Sequence, residues 1–161
     1  MRFVLSTLAV LLVATACSPP PSQPAEDSLS ASSTTLGFDI ALTFSPAARA
    51  KLGEIKEKVN VAAMYWGEPT DKAASIADEM GQIDLGRDDV MVEPADQTVH
   101  VAGTGLKTAS LADITSTPYV LVNIYTARTV NPDNLLDCGF FEGPISPATT
   151  AAIHCKLIGE E

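Results

Sequence analysis

Phe38-Asp39-Ile40-Ala41-Leu42-Thr43-Phe44, followed directly by Ser45-Pro46, is the stretch on which the fold turns. Phe38, Ile40, Leu42 and Phe44 fall on one side of an extended chain and Asp39, Ala41 and Thr43 on the other, the period of a half-buried strand. Ser45 then reads as a helix N-cap, with Pro46 at the first helical position, where its missing N–H costs nothing. Gly53 after Leu52 predicts an early stop, so this helix is short. Period two returns from Lys58 to Trp66, with Val59, Val61, Ala63 and Tyr65 on one face and Asn60, Ala62, Met64 and Trp66 on the other, until Gly67-Glu68-Pro69 ends it. Between Thr70 and Met80 the apolar residues Ala73, Ile76, Ala77 and Met80 take helical spacing, which predicts a second short helix capped by Thr70 and stopped at Gly81.

Farther along, strands are expected over 82–86, 90–93, 98–102, 118–129 and 152–158, separated by Glu93-Pro94-Ala95-Asp96, Gly103-Thr104-Gly105 and Asn131-Pro132-Asp133-Asn134. The segment from Leu106 to Ile114 is open between strand and turn-rich loop. Many short strands with too few helices to cover a parallel sheet predict a mainly β domain over residues 38–161. The expected architecture is an antiparallel β-sandwich with two short helices, by analogy immunoglobulin-like or transthyretin-like.

At 161 residues the chain has room for one domain plus its termini, and 46% hydrophobic residues suffice for a core. Ten Lys and Arg against 20 Asp and Glu give a net charge of -10, which argues against nucleic acid, since phosphate binding needs clustered cations.

Arg2 precedes an apolar run from Phe3 to Val13, too short to span a bilayer but of secretory length, and Ala14-Thr15-Ala16 leads into Cys17. This order resembles the lipobox of bacterial lipoproteins, with Ala14 where that family prefers Leu or Val. The resemblance implies a signal peptide over residues 1–16 and acylation of Cys17, hence a membrane partner through a lipid anchor; two or three acyl chains hold where one binds reversibly. Ser18 in place of Asp implies the outer membrane, facing the periplasm. Residues 17–37, the acylated Cys with SPPPSQPAEDSLSASSTTLG behind it, have almost nothing to bury and are expected to form a disordered tether with a mean span of about 25 Å.

With Cys17 acylated, Cys138 and Cys155 remain as an even pair in an exported domain, which predicts a disulfide. Cys155 shares a strand face with Ile153 and Leu157, so its sulfur is expected to point inward while His154 and Lys156 point out.

The residues offer little for catalysis. His100 and His154 are expected on outward strand faces, without the paired spacing of a metal site; no G-x-S-x-G elbow occurs, and Gly103-Thr104-Gly105-Leu106-Lys107 reads as a turn rather than a phosphate loop. No cofactor or metal is expected. The acidic residues Asp78, Glu79, Asp84, Asp88 and Asp89 read as a solvated face, with Asp84, Asp88 and Asp89 as the alternative of a weak cation site. In the strand from Pro118, Val120, Val122 and Ile124 form the core row and Tyr119, Leu121, Asn123 and Tyr125 lie opposite. Tyr119, Leu121 and Tyr125 are thus a candidate binding surface, unless the Thr70 helix or the segment 131–150 covers them. The expected function is a non-catalytic binding or accessory module that docks an envelope protein or polymer. The rivals are a pilot or chaperone-like lipoprotein for an outer-membrane assembly and, less favoured, a hydrolase.

Overall fold

A computed structural model describes residues 36–146 and 148–161; the signal peptide expected over 1–16, Cys17 and most of the tether expected over 17–37 lie outside the described residues. The eight strands are β1 (Phe38–Phe44), β2 (Val59–Gly67), β3 (Ile83–Val92), β4 (Gln97–Val101), β5 (Tyr119–Thr126), β6 (Leu136–Cys138), β7 (Phe141–Pro144) and β8 (Thr150–Leu157). One α-helix, α1 (Pro46–Ile55), links β1 to β2, and 3-10 turns occupy Ala74–Ile76 and Thr108–Asp113. The strands form two four-stranded sheets, ordered β4-β1-β8-β6 and β3-β2-β5-β7.

Alternation decides what each sheet buries. The first sheet turns in Phe38, Ile40, Leu42 and Phe44 of β1, Val99 and Val101 of β4, and Ala151, Ile153 and Cys155 of β8. From the second sheet come Val59, Val61, Ala63 and Tyr65 of β2, Leu85 of β3, and Val120, Val122 and Ile124 of β5. These rows belong to one hydrophobic cluster, which gives the domain its two-sheet, mainly β character.

Helix α1 begins as expected: Ser45 Oγ accepts from the Ala48 N–H at 3.0 Å, with Pro46 next to the cap. It does not stop at Gly53. The helix runs to Ile55 and ends where Lys56 turns left-handed at φ 58°, its N–H reaching the carbonyls of Gly53 and Leu52. Burial of Ala48 and Leu52 against the sheets outweighs the roughly 1 kcal/mol that a mid-helix glycine costs.

The pairing corrects other expectations. The sandwich is not wholly antiparallel, because β1 and β8 run parallel, with Ile40 opposite Ala151 and Phe44 opposite Cys155. Alternation specifies which face a strand buries and is silent on its neighbour's direction. Segments 82–86 and 90–93 are one strand, β3, bent rather than broken by a register shift that puts Gly86 opposite Tyr65 and Asp84 opposite Trp66. Gly86 accommodates that bend at φ +99°, and Gly105 passes so close that a Cβ there would meet the Arg87 carbonyl oxygen at 1.9 Å.

The helix expected over Thr70–Met80 is absent; a turn and the 3-10 segment stand there instead. Thr70 Oγ1 does accept from the Ala73 N–H, and Ala73 is buried, but Ile76 and Met80 are 64% and 80% exposed. Without a surface to pack those two side chains against, so short a helix has little to offset its nucleation cost.

The Cys138–Cys155 disulfide is present, joining residues directly opposite on β6 and β8. The bridge closes a sequence separation of 17, for which chain-entropy arguments give about 3 kcal/mol. Reduction should therefore lower the unfolding free energy in urea by about that amount. Two glycines should respond oppositely to alanine: Gly105→Ala should cost about 2 kcal/mol, because backbone must move. Gly53→Ala, with nothing within 4 Å of the added methyl group, should gain about 1 kcal/mol. Equal urea midpoints for these two variants would contradict the close crossing.

Candidate functional site

The outward face of the second sheet carries the least ordinary set of side chains. Across it, strand register aligns Trp66 with Tyr119, Met64 with Leu121 and Arg87, Ala62 with Asn123 and Asp89, and Asn60 with Tyr125 and Met91. Tyr119, Leu121 and Tyr125 are all half-buried there, so the structure brings the expected row onto one face. Both expected covers border it without forming the elements expected of them: Asp78 and Met80 line a groove with Trp66 and Leu121, and Phe140 lies beside Leu121. The Thr70 helix does not form, and the segment 131–150 supplies β6 to the first sheet and β7 to the edge of the second, beside β5.

At one end of this face the Trp66 and Tyr119 rings stack, with centroids 4.6 Å apart and planes 17° from parallel. Beside the stack lies an open groove of about 330 Å³ bounded by Met64, Trp66, Leu121, Met80, Asp78, Asp84 and Glu142. Leu121 also borders an adjoining hollow with Asn123, Phe140 and Glu142, where Phe140 is 70% exposed.

The other end is polar and internally bonded. Arg87 Nε donates to Asp89 Oδ2 at 2.6 Å and its Nη2 donates to Asp89 Oδ1 and to the Tyr125 hydroxyl. Asn60 Nδ2 donates to Asp89 Oδ1 at 2.7 Å and to the same hydroxyl at 2.9 Å. The Arg87 hydrogen bonds hold the Asp89 carboxyl below its usual range, and Asp89 in turn holds the guanidinium up. Arg128 stands over the Tyr125 ring, 5.9 Å from its centroid.

The structure does not gather Asp84, Asp88 and Asp89 around a common point. Asp84 pairs with the Lys107 ammonium, which holds its carboxyl below the ordinary range, and also accepts from the Gly86 N–H. Asp88 accepts from Gly105 N–H, Thr104 Oγ1 and the Tyr65 hydroxyl, while Asp89 is taken by Arg87 and Asn60. Each carboxylate is bound to a different set of protein donors, so the sequence cluster does not converge. Among the described residues no group of three or more His, Cys, Asp or Glu has the geometry to hold a metal ion. Burial, and then the hydrogen bond and charge of Asp88, push the Tyr65 hydroxyl upward, so Tyr65 remains a neutral donor in the core.

His100 and His154 are exposed on the outer face of the first sheet. His100 Nδ1 lies 2.8 Å from Asp39 Oδ1 and His154 Nδ1 lies 3.0 Å from Thr43 Oγ1. The expected inward set of Cys155 and Ile153 is buried, with Leu157 half-buried.

Several members of the face escape a reading of composition and motif. Trp66 was separable from Tyr65 by alternation, but Met80 and Glu142 come from a turn and a four-residue strand that have no periodicity to read. Glu57 is the clearest omission. It is 1% exposed, and its Oε1 accepts from the Thr129 N–H and hydroxyl while Oε2 accepts from the N–H groups of Val130 and Asn131. One carboxylate thereby fixes the loop that follows Arg128.

No protein-family model, curated protein or solved structure matches this chain. The outward face of β2 and β5 carries a stacked aromatic pair and methionines at one end and a hydrogen-bonded charged network at the other.

The Glu57 anchor gives a signed pH dependence. Burial alone would raise its pKa, but the donors from Asn131, Thr129 and Val130 outweigh burial and lower it from 4.5 to about 2. Its stabilising contribution is complete above about pH 4.5 and is lost as pH falls towards 2. Glu57→Gln, which turns an amide into the same N–H groups, should destabilise the domain by about 3 kcal/mol at pH 7 and flatten this acid limb of urea unfolding.

Proposed function

We propose that this chain is a lipid-anchored binding or accessory module of a bacterial envelope, held on its tether by acylated Cys17 and docking an envelope protein or polymer through the outer face of β2 and β5. The observation that carries the docking surface is the half-buried row Tyr119, Leu121 and Tyr125, flanked by Trp66 and Met64 and crossed by no other element among the described residues. Aromatic and methionine side chains held on a sheet face give contact area at low conformational cost, which suits a binding surface better than a solvated one. Support for the anchor comes from the order Ala14-Thr15-Ala16-Cys17 behind an apolar run and from the Pro- and Ser-rich stretch that follows. A partner confined to the same outer-membrane surface, on its periplasmic side, needs proximity more than high affinity, and a tether of this kind raises the effective concentration. The immunoglobulin-like or transthyretin-like description of the sandwich belongs to the same proposal.

Two measurements test the two halves separately. Cys17→Ser should shift the chain from the membrane to the soluble fraction of cells, and retention in the membrane would remove the lipid anchor. Photo-crosslinking side chains placed at positions 119, 121 and 125 in living cells should capture one envelope component. Position 98, on the outer face of the other sheet, should not. Capture from 98 with none from the three would put the working surface on the wrong side.

A further inference from the structure

The groove beside the Trp66–Tyr119 stack joins two kinds of surface that each favour a cation. Its apolar part is Met64, Trp66, Leu121 and Met80, and its acidic part is Asp78, Asp84 and Glu142. A cation is attracted to the face of an aromatic ring and an alkyl stem packs on methionine and leucine, so a guanidinium or ammonium on an apolar stem satisfies both parts at once. The charges already present leave room for one. Asp84 is the only one of the three carboxylates in an ion pair among the described residues, with Lys107. Asp78 Oδ1 caps its own turn by accepting from the N–H groups of Met80 and Gln82, while Glu142 accepts from no donor among the described residues. The net charge of -10 adds a field of the same sign over the whole chain. An anionic polymer meets three carboxylates here and is disfavoured; a neutral one leaves them unanswered.

Resting on the docking face proposed above, we propose that this groove takes a basic segment of a partner protein, an Arg or Lys side chain entering between Trp66 and Met80 with its charge towards Asp78 and Glu142 and apolar neighbours lying over Leu121. The partner is thereby specified by charge: an extended stretch with Arg or Lys at one end and apolar residues at every second position after it, so that all of them project from the same side. A partner chain of that pattern lies over the sheet with its cations at one end of the face and its apolar residues along the row.

Trp66 is the only tryptophan in the chain, so its emission reports occupancy of this groove directly. The probes are the peptide acetyl-Arg-Ser-Leu-Ser-Leu-amide, the same peptide with neutral citrulline for arginine, and the same peptide with glutamate for arginine, each titrated into the full chain. The arginine peptide should change the Trp66 emission saturably, bind roughly tenfold tighter than the citrulline peptide and weaken with added salt; the glutamate peptide should not bind. Asp78→Asn combined with Glu142→Gln should remove most of the preference for arginine, while Glu54→Gln on α1 should leave it unchanged. Equal affinity for arginine and citrulline peptides, or an arginine affinity untouched by the double substitution, overturns the proposal. If both peptides bind equally and Leu121→Ala weakens both, the docking face stands and only its cation selectivity falls. If no peptide binds but position 121 still crosslinks in cells, the basic segment is again rejected and the face retained. If neither occurs, both readings fall together.

Discussion

The parallel pairing of β1 with β8 is the contact on which the other parts of the domain depend. It joins Asp39–Phe44 to Thr150–Cys155, nearly the two ends of the described chain, and the Ser45 N–H extends it by donating to the Cys155 carbonyl at 2.9 Å. These two strands are the inner pair of the first sheet, so without them β4 and β6 have nothing to pair with. Two further links hold the same place. The disulfide ties β8 to β6, and Glu160 accepts from the Leu157 N–H and from Ser45 Oγ, bonds that keep its carboxyl below the ordinary range. The chain passes from one sheet to the other between β1 and β2 and at every step from β3 to β8. Only the β2–β3 hairpin is local, and the core is completed when the last strand arrives, a topology whose loop-closure entropy slows folding.

The two sheets share a core but expose different chemistry. Outward from β1, β4 and β8 come Asp39, Thr43, Thr98, His100, Ala152 and His154, small or polar groups of the kind expected of a wet sheet face. Outward from β2 and β5 come Met64, Trp66, Tyr119, Leu121 and Tyr125. Both faces satisfy the same alternation and bury their inner rows equally well. The apolar side chains of the second face lie outside that inner core and are only half-buried; under the docking proposed above, contact with another molecule covers them.

Alternation made much of this legible. In β1, β5 and β8 a period of two over seven or more residues named the buried row and placed Cys155 inward and His154 outward, while in β2 it separated Tyr65 from Trp66 without saying which was buried. The Ser45-Pro46 start of α1 was legible because a cap is local chemistry. What failed to show was non-local. The parallel β1–β8 pair depends on which strand arrives beside which, and β6 and β7, of three and four residues, are strands only because β8 and β5 offer free edges. The Thr70 segment misled for a related reason: spacing of Ala73, Ile76, Ala77 and Met80 fits a helix, yet only Ala73 finds a buried place. The partners of the acidic residues were not legible either, because they come from other strands and loops: β3 sends Asp88 to Tyr65 and Gly105, and Asp84 to Lys107.

The row Tyr119, Leu121 and Tyr125 looked uniform in sequence and is not uniform in structure. Tyr125 is committed: its hydroxyl accepts from both Asn60 and Arg87, and Arg128 lies over its ring. A phenol with both acceptor positions filled keeps its own O–H to give, so under the proposed docking Tyr125 would meet a partner as a hydrogen-bond donor. Tyr119 stacks on Trp66, and Leu121 lies at the meeting of two hollows. One end of the face is thus pre-ordered and the other adaptable. Pre-ordering lowers the entropy lost when a partner's main chain docks near Tyr125, while adaptable methionine and aromatic contacts let its side chains settle beside Trp66. Under the docking proposed above, a surface divided in this way would set direction as well as position: a strand reversed end for end would bring its cation towards Arg87 and Arg128, and like charges would disfavour that orientation.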